Sequence, residues 1–219
     1  MRITRRELCA GTAALALAGA VSGTRPGGFG FVLPAFADVS NEELMAPSPL
    51  GEETQGDPKA PVTLIEYAAV TCPHCSDFFM HQFPEIKSKY VDTGKVLFIF
   101  REFPLNALDV AGFMLARCAG NDKFFPMVDA LFEKQRDWVV QKPLEPLLAI
   151  AKQAGFTKES FDACLTNQKV EDAVKWVRER AADKFGVSGT PTFFINGKRY
   201  TGNPTAADLG KEIEGYLKS

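Results

Sequence analysis

The run APVTLIEYAAV at positions 60–70 stops against CPHC, Cys72 to Cys75, and CSDFFMHQFPEIKSKYV continues from the second cysteine. The first stretch is apolar and β-prone, which marks a buried strand. In the second, Phe78, Phe79, Phe83 and Ile86 recur at helical spacing, and Pro84 predicts a kink. The two cysteines therefore stand at the corner where a strand turns into a helix. GKVLFIFREF, ending at Phe103, reads as a second strand, and strand, helix and parallel return make a βαβ unit.

Helical periodicity then runs without a break from about Asn106 to Phe185, with helices predicted at 107–120, 122–135, 144–154, 158–166 and 168–185 and Thr157 as an N-cap. TPTFFINGKRYTG follows as two short strands joined by Asn196-Gly197, a strong hairpin signal. PTAADLGKEIEGYLK closes as a helix with Thr205 and Asp208 placed as a capping box. The chain reads as one α/β domain over 61–219 with an all-helical insertion at about 106–185. Residues 38–60 have few large apolar side chains and several Pro and Gly, and are expected to be a flexible lead-in.

Three chemistries compete for Cys72 and Cys75. A structural zinc site needs a second closely spaced ligand pair, whereas Cys118 and Cys164 stand alone in helical patterns and His74 and His81 are the only histidines. A Cys72–Cys75 staple would close a loop of only about four residues, for which the stabilisation is small. The redox reading explains the spacing. Cys72 falls at a helix N-terminus, where unpaired amide groups and the helix dipole favour a thiolate. His74 adds a further positive or hydrogen-bonding group beside it. A stabilised thiolate favours the dithiol over the disulfide and makes the disulfide oxidising.

Export is encoded at the N-terminus. Arg2, Arg5 and Arg6 precede a small-residue apolar run from about Leu8 to Val21, too short for a comfortable membrane span, and Ala35 and Ala37 supply an A-x-A cleavage pattern. Residues 1–37 read as a signal peptide, with Asp38 as the mature N-terminus. Cleavage after Ala18-Gly19-Ala20 and an uncleaved anchor are the alternatives. Arg5-Arg6 leaves both the general and the twin-arginine route open. Processing removes Cys9 and leaves 21 basic and 26 acidic residues, a net charge of about −5. That balance, with no basic stripe or Gly-rich phosphate loop, argues against nucleic-acid binding.

CPHC after a strand, a helical insertion and GTPTFFING together resemble the DsbA-like, thioredoxin-fold disulfide oxidoreductases of the bacterial periplasm. The resemblance covers about residues 57–219. It implies that Cys72 is the nucleophile and Cys75 the resolving thiol. By position, Thr190-Pro191 matches the family's cis-proline, with residue 190 offering its backbone to substrate and tuning the thiol. Glu66, on the preceding strand, resembles the family's buried acid, a proton relay for Cys75. The alternatives are a trans strand-initial proline and a solvent-facing glutamate. The resemblance also implies unfolded exported polypeptides with free thiols as substrates, a membrane-bound DsbB-like redox partner, a monomer, and neither cofactor nor metal.

In an oxidising compartment Cys118 and Cys164 are expected to pair, closing a loop of about 47 residues and contributing about 4 kcal/mol in the chain-entropy model. Buried free thiols are the alternative. Phe78, Phe79, Phe193 and Phe194 read as core, His81 as surface, RERAADK as a solvated face, and Trp138 and Trp176 as core or interface. A disulfide isomerase or a dedicated reductant would use the same dithiol, and a chaperone or peptide-binding module is the non-enzyme reading.

Overall fold

In the computed structural model, residues 40–218 are described. The signal peptide, Cys9 and the Ala37/Asp38 junction lie outside them.

Strand β2, Val62–Ala68, is central in a five-stranded sheet ordered β1-β3-β2-β4-β5. It pairs in parallel with β3, Val96–Glu102, and antiparallel with β4, Thr192–Ile195. Burial of nearly the whole of β2 and β3 explains their almost unbroken apolar runs. The parallel return requires a crossover, which begins with helix α2, Pro73–Asp77. The crossover is wound into a π-turn at Phe78–Gln82, α3 at Phe83–Ile86, and a second π-turn at Lys87–Val91. The expected kink at Pro84 takes this form: proline has no N–H to give to residue 80, and the turn before it widens so that the Phe83 N–H reaches Phe78.

The insertion has one helix more than the spacing predicted. It comprises α4, Ala107–Cys118; α5, Asn121–Glu133; the short α6, Gln135–Trp138; α7, Leu144–Gln153; α8, Lys158–Leu165; and α9, Gln168–Phe185. Asn106, Thr157 and Asn167 cap α4, α8 and α9 with their side chains. The chain re-enters the sheet at β4 and turns into β5, Lys198–Tyr200, through Asn196 and Gly197, both at positive φ as a tight hairpin requires. Helix α10, Ala206–Leu217, closes the domain. Thr205 caps it by accepting from the Asp208 N–H, but Asp208 returns its side chain to the Thr205 hydroxyl, so only half of the expected capping box forms.

Each face of the sheet has its own core. Val62, Leu64 and Ala68 face α2, α3, α10 and the first helices of the insertion, and Ile65 and Tyr67 face α9 and Leu44. Phenylalanines dominate the first core, with Phe79, Phe83, Phe98, Phe100 and Phe124 in edge, tilted and stacked contacts. Phe78, Phe79, Phe193, Phe194 and Trp138 are buried, His81 is exposed, and Trp176 is partly exposed.

The flexible lead-in is corrected by this structure. Asn41–Met45 is helix α1, capped by Ser40, and Glu53–Gln55 is the edge strand β1, antiparallel to β3. Long-range contacts supply the order. Leu44 is fully buried in the second core. Arg101, itself buried, donates to the Leu44 carbonyl at 2.7 Å and pairs with Glu52 at 3.0 Å. Arg117 pairs with Glu53 at 2.7 Å and with Glu102.

Candidate active site

Cys72 occupies the N-cap of α2, with φ −78° and ψ 120°, and Pro73 follows at N1, where its missing N–H costs nothing. The Cys72 N–H bonds the Ala69 carbonyl at 3.1 Å, and the Cys72 carbonyl accepts from Ser76 at 3.1 Å. Cys72 is 7% exposed, whereas Cys75, one turn on, is fully buried. Both thiols are free in this structure.

Their environments push the two thiols in opposite directions. A hydrogen bond from the Cys75 thiol is the largest influence bringing Cys72 from an ordinary 9.0 down to about 5; burial opposes it, and Thr190 and the backbone N–H groups of Cys75 and His74 add to it. Cys75 is raised well above its ordinary value by burial first, then by the hydrogen bond it gives to Cys72, then by the nearby Glu66. One sulfur is thus disposed to be a thiolate and leaving group. The other holds its proton.

Residue 190 is placed by the cis peptide between Thr190 and Pro191. The Thr190 carbonyl accepts from the Cys72 thiol at 3.4 Å. While Cys72 is protonated, the buried Thr190 hydroxyl has no hydrogen-bond partner among the described residues. Once a thiolate forms, that hydroxyl can turn its proton to the sulfur, which is how it lowers Cys72.

Glu66 is fully buried. Alternation along β2 puts it on the face of Leu64 and Ala68, under α2, between Phe100 of β3 and Phe193 of β4. Neither carboxyl oxygen has a partner among the described residues. Burial first, and then the charge of Cys72, hold its carboxyl well above the usual range.

The His74 side chain is exposed, and the backbone N–H of residue 74 is among the groups that lower Cys72. Cys118, in the last turn of α4, is bonded to Cys164 of α8, with Cα atoms 6.1 Å apart. No group of three or more His, Cys, Asp or Glu side chains placed to hold a metal occurs among the described residues.

Two residues that the sequence reading missed complete the site. Asp109 of α4 accepts from the Thr71 N–H at 2.7 Å, the Thr71 hydroxyl at 3.0 Å and the Leu105 N–H at 2.9 Å. Gln135, at the start of α6, donates its amide to the Val70 carbonyl at 2.8 Å and the Cys72 carbonyl at 3.1 Å. Asp109 carried a faint signal as the third residue after an Asn N-cap. Gln135 carried none, because nothing local distinguishes it from a solvent-facing glutamine.

A family model described as thioredoxin matches residues 50–215. The chain is 34% identical over 168 residues to a Rickettsia bellii protein provisionally named protein-disulfide oxidoreductase, covering 73% of this chain and 63% of that one. It spans between 59% and 63% of the length of the first Rickettsia relatives it matches. Among solved structures, Wolbachia pipientis α-DsbA1 is similar with a TM-score of 0.74 and 34% identity, covering 82% of this chain and 96% of that one. Oxidised BdbD from Bacillus subtilis is similar with a TM-score of 0.67 and 26% identity, over 79% of this chain and 96% of that one.

Proposed function

We propose, from the premise that this chain belongs to the thioredoxin family, that it is a protein-disulfide oxidoreductase that oxidises paired thiols in unfolded exported polypeptides. The observation that carries this reading is the asymmetry of the dithiol: Cys72 at about 5 and Cys75 far above its ordinary value. A sulfur that is stable as a thiolate leaves readily and favours the reduced enzyme, so the corresponding disulfide oxidises its partner. At pH 7 the shift of Cys72 is worth roughly 3 kcal/mol, on the order of 60 mV.

In the oxidised enzyme a substrate thiolate attacks Cys72 Sγ. The Cys72–Cys75 bond breaks, and the electron pair leaves on Cys75. Glu66, buried and with its carboxyl raised well above the usual range, gives that sulfur its proton. The substrate's second thiolate then attacks its own sulfur in the mixed disulfide, and Cys72 departs as a stable thiolate. Substrate loses two electrons and the dithiol gains them. The backbone of Thr190, whose carbonyl lies against Cys72, is where an extended substrate segment pairs. A membrane-bound DsbB-like partner returns the dithiol to the disulfide. Export rests on the features of residues 1–37, and among the described residues no helix is long and apolar enough to cross a membrane.

Equilibrating the protein with glutathione, beside a peptide-oxidation assay with a Cys72→Ala control, tests this. A potential well above the glutathione couple with rapid peptide oxidation is expected. A potential below that couple would make the protein a reductant, and peptide binding that survives without any thiol exchange would make it a binding module.

A further inference from the structure

The turn that presents Cys72 is held from outside its own βαβ unit. Between the end of β2 and the start of α2, three backbone groups find their partners on side chains of the helical insertion. The Val70 and Cys72 carbonyls take the two amide hydrogens of Gln135, and the Thr71 N–H goes to Asp109. With two carbonyls as acceptors, only the NH2 end of the Gln135 amide can face them. Backbone packing brings the two parts close: a Cβ on Gly112 of α4 would lie 2.8 Å from Val70 Cγ2, a distance only glycine avoids. Gln135 begins the short α6, which is anchored by fully buried Trp138 through its indole bond to the Leu131 carbonyl at 2.8 Å. The amide thus reaches the turn from a fixed base.

We propose that Gln135 is a positioning residue for the thiol chemistry: by fixing the carbonyls of Val70 and Cys72, it holds the α2 N-terminus in one orientation toward Cys72, which sits at its N-cap. The inference deepens the reading of the dithiol as an oxidant and rests on it. Its physical basis is a difference between redox states. A thiolate is stabilised by the unpaired N–H groups and dipole of a helix N-terminus, whereas a disulfide sulfur carries no charge for them to stabilise. A turn released from Gln135 averages over orientations, and the thiolate loses more than the disulfide does. The Cys72 carbonyl keeps its Ser76 bond in either case, so α2 itself persists.

Gln135→Met tests this, since methionine has a similar length and no donor. Its thiolate absorbance should titrate about one pH unit higher than in the unsubstituted protein, and its equilibrium constant with glutathione should fall about tenfold, or about 30 mV. Gln135→Asn, too short to reach both carbonyls, should shift both readings the same way by less, and it serves if the methionine variant fails to fold. A variant that melts earlier with unchanged thiolate midpoint and potential would reduce Gln135 to a structural prop and overturn the proposal. So would a variant unchanged in all three. An ordinary thiol and a glutathione-like potential in the unsubstituted protein would overturn the oxidant reading instead, while the difference between that protein and its variant would still decide the role of Gln135.

Discussion

Two cysteine pairs share this domain and meet opposite surroundings. Cys72 and Cys75 are three residues apart at a helix N-terminus, with amide groups, a hydroxyl and a buried acid arranged around them. Cys118 and Cys164 are 46 residues apart, join the end of α4 to α8, and are bonded. The first pair closes too small a loop to stabilise much, and its surroundings favour separate sulfurs. For the second, the long loop makes the bond stabilising. The difference teaches that the charge a site can stabilise on sulfur, set against the chain entropy a bond removes, decides what a cysteine pair is for.

The largest effects should come from breaking the first pair. Cys72→Ser should abolish thiol exchange, and Cys75→Ser should accumulate a mixed disulfide with substrate on non-reducing gels. The double variant Cys118→Ser/Cys164→Ser should keep its exchange rate. Efficient trapping by Cys72→Ser in place of Cys75→Ser would reverse the roles assigned here.

Stability should show the converse. The Cys118→Ser/Cys164→Ser protein should lose about 4 kcal/mol in denaturant unfolding. Thiol counting after mild reduction should find the first pair open and the second intact. Four free thiols at that point would show that the second pair is no more protected than the first.

A pH series separates them further. The folded-state Cys72 lies near 5, below its ordinary 9.0, so its contribution to the reduced protein is complete above about pH 9, partial at pH 7 and lost as pH falls through 5. The thiolate should therefore contribute about 3 kcal/mol to the reduced protein at pH 7, a contribution the oxidised protein lacks. Thermal melts of both forms should converge toward pH 5.

The last expected effect has the opposite sign and lies beside the second pair. Glu53, on the Arg117 that precedes Cys118, is raised from 4.5 to about 7 by burial, against the attraction of Arg117 and with repulsion from Glu102. A raised acid binds more protons folded than unfolded, so stability should fall as pH climbs from about 4.5 to about 7. Glu53→Gln should flatten that slope in both redox forms without moving the Cys72 titration. A slope that persists in the variant would place its origin elsewhere.

Local sequence determined what depends on neighbours in the chain. Strand period, helix period and N-caps located β2, β3, the hairpin and five insertion helices, because burial on one face leaves its repeat in the side chains. CPHC at a strand end placed Cys72 at a helix N-terminus, whereas for Glu66 only the family resemblance pointed to burial. Tertiary structure alone decided the rest. Residues 40–60 look featureless because their order comes from Arg101, Arg117 and the edge of β3, partners 40 or more residues away. The exposure of His74 is one such feature, since which helix face meets solvent depends on what packs against the others. Gln135 and Asp109 reach the active-site turn only because the insertion folds back against it. A hydrogen bond spanning 63 residues leaves no periodic trace in either segment it joins.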